Sequence, residues 1–240
     1  MMRGAVRAAW RYGARERGDR CNSFYRLEEL ARDNTTAGRT FLLYNDRSWT
    51  YTQTYDMALR YGTYLKDTLG VKAKDIVAVD LQNSDTFILV LFGLWSIGAK
   101  PAFINYNLAG EALVHCVKVA ESVLMLVDPE VAHKIDDDVR AKLGDLLIEI
   151  LNRELVNKVQ ATPATRAPDS WRSGEQGRDM AILIYTSGTT GLPKAAIVSW
   201  SKLIAAPCFA MGWLGTKSTD VFYTASSTLP PDAARPAYPS

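Results

Sequence analysis

Four apolar runs constrain this chain more than any other feature: Ile76-Val77-Ala78-Val79, Pro101-Ala102-Phe103-Ile104, Val123-Leu124-Met125-Leu126-Val127 and Met180-Ala181-Ile182-Leu183-Ile184. Each is short enough for one strand and apolar enough to be buried. Between the first three lie segments with helical spacing, one from about Asp85 to Ile97 before Gly98 and one from about Gly110 to Ala120. Strands alternating with helices at this spacing imply crossover connections and a largely parallel sheet flanked by helices on both faces, an α/β fold. Upstream, Phe41-Leu42-Leu43-Tyr44 and Arg47-Ser48-Trp49 read as a hairpin around Asn45-Asp46. Thr50 and Gln53 then have capping-box spacing, so a helix should start there, with Tyr55, Ala58, Leu59, Gly62 and Leu65 on its inner face and Gly70 after its end.

Ligands of such sheets sit beyond the carboxyl ends of the strands. The fourth run leads there into Tyr185-Thr186-Ser187-Gly188-Thr189-Thr190-Gly191-Leu192-Pro193-Lys194. Glycines let the backbone adopt positive φ and let its N–H groups approach a ligand closely. Successive N–H groups in such a turn make a nest for phosphate oxygens. Thr186, Ser187, Thr189 and Thr190 add hydroxyl donors, and Lys194 adds a full positive charge after a stiff Leu-Pro spacer. The phosphate-binding candidates are therefore Thr186, Ser187, Gly188, Thr189, Thr190, Gly191 and Lys194, with Lys194 as the charge-stabilising group. A Walker A loop needs four residues between its glycines and a Ser or Thr after its lysine, and neither condition is met. Ala195-Ala196-Ile197-Val198 reads as another strand, so no helix dipole backs the loop. By composition alone a polar surface turn explains the same residue types.

The order of those residues goes further. Y-T-S-G-T-T-G-L-P-K resembles, letter for letter, the signature loop of adenylate-forming enzymes, the superfamily of acyl-CoA synthetases, luciferases and peptide-synthetase adenylation domains. Arg47-Ser48-Trp49-Thr50-Tyr51, Gly93-Leu94-Trp95-Ser96-Ile97-Gly98-Ala99 and the segment from Ile104 to His115, of form I-N-x-N-L-x-G-x-x-L-x-H, resemble one branch of it. That branch is the fatty acid transport proteins, which are also very-long-chain acyl-CoA synthetases, and the fungal members are most similar. The resemblance implies ATP, Mg2+ and CoA as cofactors and a long-chain fatty acid as substrate. In that chemistry the carboxylate attacks the α-phosphate to give acyl-adenylate and pyrophosphate, and CoA then displaces AMP. It also implies an intracellular, membrane-associated location such as the endoplasmic reticulum, plasma membrane, lipid droplet or peroxisome. A ligase for another carboxylic acid shares the same loop.

The resemblance runs from about Thr40 to Thr224 and divides the chain into a basic arm and lead-in (1–39), a partial AMP-binding domain (40–224) and a tail (225–240) rich in Pro, Ala and Ser. Relatives carry a downstream Thr-Glu pair that helps hold magnesium, adenine- and ribose-binding residues, and a mobile C-terminal domain with a lysine. The expectation is thus an incomplete N-terminal domain from a truncated product and a poor catalyst. The reading of a different class is a non-catalytic nucleotide-binding fragment or partial domain that pairs with another polypeptide.

With a net charge of +2 nothing global argues for nucleic acid, and 48% hydrophobic content is enough for a core. Three separated cysteines, Cys21, Cys116 and Cys208, offer neither a disulfide framework nor zinc spacing, which fits a reducing compartment, and Cys208 is assigned to packing. His115 and His133 lack partners at ligand spacing, so His115 reads as a satisfied core or interface histidine. Asp136-Asp137-Asp138 reads as an acidic helix start rather than a metal site. No G-x-S-x-G nucleophile motif occurs. Phe87 to Ile97 is too short to span a membrane and reads as a buried helix. Arg3, Arg7, Arg11 and Arg15 recur on one helix face, suited to peripheral contact with an anionic membrane or to a presequence, against the plainer reading of a solvated arm. From Asp128 to Gln160 the pattern reads as helix, with Leu143, Leu146, Leu147, Ile150 and Leu151 as its stripe, and 161–178 reads as a surface connection rather than a domain boundary. Nothing in the pattern sets an oligomeric state.

Overall fold

A computed structural model describes residues 13, 17–186, 191–205, 214–217 and 219–223. Its elements are α1 (Phe24–Arg32), β1 (Thr40–Tyr44), β2 (Arg47–Thr50), α2 (Tyr51–Asp67), β3 (Ile76–Asp80), α3 (Asp85–Ser96), β4 (Lys100–Phe103) and α4 (Gly110–Val119). They continue with β5 (Leu124–Val127), α5 (Asp137–Leu143), β6 (Leu147–Ile150), α6 (Arg153–Ala161), β7 (Met180–Thr186) and β8 (Lys194–Ser199). Six strands form one sheet in the order β6-β5-β3-β4-β7-β8, while β1 and β2 pair as a separate hairpin. All neighbours in the main sheet are parallel except β7 and β8. This is the largely parallel, helix-flanked α/β sheet that the sequence predicts.

Alternation along the strands sends side chains to two cores. Val77, Val79, Leu124 and Leu126 face the layer that includes α1, α2, α3 and α6, and Ala78, Ala102, Met125 and Leu183 face α4 and α5. The predicted capping box is formed: Gln53 N–H donates to Thr50 Oγ1 at 3.2 Å and Thr50 N–H to Gln53 Oε1 at 2.9 Å. Ser84 caps α3 in the same way, accepting from Phe87 N–H. The apolar helix α3 is buried rather than membrane-facing, and no described helix is long and apolar enough to cross a membrane.

Two expectations are overturned. The stretch from Asp128 to Gln160 is not one helix but α5, β6 and α6. Asp136 caps a new start, Gly144 ends it at φ 64°, and Asn152 caps the next one. The stripe of leucines and isoleucines has helical spacing, yet residues 147–150 gain a parallel ladder beside β5, which outweighs the local preference. The connection at 161–178 is not confined to the surface either. Ala167, Arg172 and Glu175 are buried. The Arg172 guanidinium donates to the carbonyls of Ser96 and Ala167 and to Asp169, and it lies 4.9 Å from the Phe24 ring. That contact holds α1, whose Glu28 takes two hydrogen bonds from Arg166 at 2.6 and 3.0 Å. The sequence pattern sets out no helix over 24–32. Arg3, Arg7, Arg11 and Arg15 lie outside the described residues, as do Cys208 and 224–240.

Helices α2 and α3 approach through glycine. A Cβ on Gly93 would stand 2.6 Å from Tyr61 Cβ, and one on Gly62 would stand 3.0 Å from the Gly93 carbonyl oxygen. Neither neighbour is the loose end of a side chain, so the helices have to separate to admit a methyl group. Gly93→Ala is expected to cost about 1–3 kcal/mol through overpacking. Urea unfolding checks this, and an unchanged midpoint refutes the close approach.

Candidate functional site

Parallel pairing places the carboxyl ends of β3, β4, β5 and β7 on one edge of the sheet. From that edge β7 turns back antiparallel into β8, and Thr186 faces Lys194 as the outermost pair of the ladder. Thr186 Oγ1 reaches the Lys194 carbonyl at 3.5 Å. The predicted loop therefore joins β7 to β8 at the carboxyl edge of the sheet, with β8 directly behind it and, among the described residues, no helix N-terminus there. Of the seven candidate residues, Thr186, Gly191 and Lys194 are brought together at its mouth, and all three are exposed. Ser187, Gly188, Thr189 and Thr190 lie outside the described residues. Gly191 has φ 90°, a conformation that a side chain would strain whatever the surrounding space.

Helix α4 holds the base of this hairpin. The Tyr185 hydroxyl donates to the Cys116 carbonyl at 2.6 Å, a buried bond between β7 and the helix. Burial also pushes the Tyr185 phenol above its usual range, so it remains a donor at any physiological pH. The neighbouring His115 presents Nε2 to the Pro193 carbonyl at 3.1 Å, one residue before Lys194. His115 is thus an interface histidine, as its sequence context predicts, but the interface is with the candidate loop itself. Nothing in the spacing linked residues 115 and 193; only the fold brings them together.

A second group missed by the sequence pattern is Asp80, which closes β3. It is fully buried on the α4 side, and among the described residues neither carboxylate oxygen has a hydrogen-bond partner. Burial raises its pKa to about 7, the charge of Lys134 works against the rise, and Asp128 adds to it. A lone acid ending the apolar run Ile76-Val77-Ala78-Val79 was the available signal. Burial, followed by the charge of Asp80, pushes the Cys116 thiol up to about 12, which makes it inert packing. Elsewhere the acidic cluster is structural, since Asp136 accepts from Val139 N–H at 2.8 Å and starts α5. His133 contacts the Glu130 carbonyl. Among the described residues no group of three or more His, Cys, Asp or Glu is placed to hold a metal ion.

Comparison with known proteins fits this geometry. The family model described as "AMP-binding enzyme" matches residues 29–229. The chain is 37% identical over 165 residues to the very long-chain fatty acid transport protein of Saccharomyces cerevisiae, covering 65% of this chain and 24% of that protein. To long-chain fatty acid transport protein 2 of Rattus norvegicus it is 30% identical over 204 residues, covering 81% of this chain and 33% of that one. The chain thus spans about a quarter to a third of the length of these relatives. Among solved structures, an anthranilate CoA ligase in complex with anthranoyl-AMP matches at TM-score 0.65 and 25% identity, over 75% of this chain and 35% of that chain. A Mycobacterium tuberculosis fatty acyl CoA synthetase matches at TM-score 0.65 and 22% identity over the same shares, a likeness of fold alone.

The buried Asp80 has a consequence for stability. The unfolded chain releases this proton near the ordinary value of 3.8, whereas the fold keeps it to about pH 7. The stabilisation that protonated Asp80 provides is present in full below about pH 4 and is lost as pH rises towards 7. The slope from this one group reaches at most about 1.4 kcal/mol per pH unit. Asp80→Asn should flatten the dependence between those limits and leave the variant more stable than the parent at pH 8. Thermal unfolding at several pH values checks it, and an unaltered slope in the variant contradicts the assignment.

Proposed function

Because the chain belongs to the AMP-binding enzyme family, matched over residues 29–229, we propose that the protein carrying it activates a long- or very-long-chain fatty acid with ATP, as a fatty acid–CoA ligase linked to fatty acid uptake. One observation carries this reading: Thr186, Gly191 and Lys194 converge at a hairpin mouth on the carboxyl edge of the sheet. The similarity to very long-chain fatty acid transport proteins supports a fatty acid as the acid in this reading. In this reading Gly191 leaves the backbone open to a phosphate oxygen, while the hydroxyls of Thr186, Ser187, Thr189 and Thr190 donate to others. Gly188 gives the same close backbone approach on the other side of the turn. Lys194 neutralises charge on the departing pyrophosphate, and positioning with electrostatics supplies the rate gain.

Magnesium enters this reading with ATP, and CoA accepts the acyl group once it is activated. Peripheral membrane contact through the arginines at 3, 7, 11 and 15 belongs to the same reading. A non-catalytic nucleotide-binding role is the second reading.

Fatty-acid-dependent exchange of labelled pyrophosphate into ATP separates the two. Exchange supports the ligase, and ATP binding without exchange supports the second reading. Lys194→Ala should weaken ATP binding by about 10-fold or more, since a hydrogen bond to a charged group contributes about 1.5–3 kcal/mol. Calorimetric titration reads it, and unchanged affinity removes Lys194 from the site.

A further inference from the structure

We propose that His115 is a positioning residue which sets the backbone that presents Lys194, so that helix α4 acts as a clamp on the hairpin. The role given to Lys194 rests on the phosphate-binding reading above; the clamp itself rests on geometry.

Two adjacent residues of α4 hold the two limbs of one hairpin. Cys116 accepts the Tyr185 hydroxyl from the β7 limb, and His115 meets the Pro193 carbonyl on the β8 limb. Leu113, Val114, Cys116 and Val117 are buried and anchor the helix to the sheet, while His115 is only partly buried and lies towards the hairpin. An imidazole facing a carbonyl oxygen has to present an N–H, which makes Nε2 the protonated nitrogen of the neutral ring. The bond also survives protonation of the ring, because the imidazolium keeps that N–H.

Pro193 is the point where such a bond has most effect. Its ring fixes φ, so ψ is the one soft backbone angle left there. The peptide between Pro193 and Lys194 is planar, with C=O and N–H pointing in opposite directions. Holding the carbonyl therefore sets ψ and aims the Lys194 N–H away from the imidazole. Because Lys194 is extended as the first residue of β8, this also orients its Cα and the side chain that leaves it. The ladder does not do this alone, since its outermost pair is Thr186 with Lys194 and Pro193 lies beyond it.

The test compares the parent chain with His115→Ala, His115→Gln, Lys194→Ala and the His115→Ala/Lys194→Ala double variant. Hydrogen exchange needs no ligand. His115→Ala should speed exchange of the Lys194 amide by about fivefold or more, the worth of one net hydrogen bond. His115→Gln, whose amide can donate to the same carbonyl, should restore slower exchange. Unchanged exchange at Lys194, or acceleration spread evenly over β7 and β8, overturns the clamp and leaves His115 a mere packing residue. With inorganic pyrophosphate as probe, His115→Ala should weaken binding by about fivefold, and the same change should do nothing further in the Lys194→Ala background. An equal loss in both backgrounds shows that His115 does not act through Lys194. If the parent does not bind pyrophosphate, the phosphate reading fails while the exchange result still decides the clamp. Should His115→Ala not fold, nitrogen NMR of the parent decides instead: a neutral ring protonated at Nε2 supports the bond, and the other tautomer overturns it.

Discussion

Everything at the candidate site depends on β3 pairing in parallel with β4 on one side and β5 on the other. A chain that leaves β3, returns as β4 beside it and then crosses to β5 has to place successive helices on opposite faces. Helix α3 goes into one core and α4 into the other. The same pairing aligns the carboxyl ends, so that β7, added beside β4, delivers the hairpin to the edge where the loops diverge. Had β7 joined antiparallel, the same ten residues would emerge at the opposite edge, away from α4's His115. Placement of the loop is therefore a property of topology before it is one of loop chemistry.

That explains what could be read in advance. Strands such as Ile76-Val77-Ala78-Val79 and caps such as Thr50 with Gln53 are local signals, and each is present in the structure. The loop's residue types and its flanking strands were equally local, so the hairpin and its edge were legible. The stretch from Asp128 to Gln160 was not, because its leucines satisfy helical spacing while the decision belongs to a ladder with β5, distant in sequence. Arg172 was illegible for a related reason. A guanidinium in a polar segment reads as surface, and only the assembled fold supplies the Ser96 and Ala167 carbonyls and the Phe24 ring that let it be buried. The pairing of His115 with Pro193 belongs to the same class, since 78 residues separate them.

In the proposed phosphate role, a loop without a helix behind it lacks the fixed partial charge that phosphate sites at helix N-termini draw on. Its positive potential has to come from one lysine and from oriented backbone N–H groups, and both are effective only if the backbone is held still. Two glycines and several small hydroxyl residues give the turn freedom to approach a ligand, which is the opposite of stillness. The structure resolves that tension at the base rather than at the tip. A proline fixes one dihedral, a ladder pair closes the mouth, and α4 grips one residue on each limb.

The buried acid on the same edge bears on the same electrostatics. By register Asp80 lies level with Tyr185, with β4 between their strands, because Ala78, Ala102 and Leu183 are aligned partners. Two strand spacings put the two columns about 10 Å apart. An anion at the hairpin mouth would lie beyond Tyr185 and so farther away, so at an effective dielectric of about 20 a full charge on Asp80 would oppose each unit of its charge by less than about 1.7 kcal/mol. An ionised Asp80 would therefore oppose any polyanion near the hairpin, and a triphosphate carries several such units. Burial raises the pKa of the group to about 7, so this repulsion weakens as pH falls through that value. The same helix that restrains the lysine's backbone thus also covers the acid that would work against its charge.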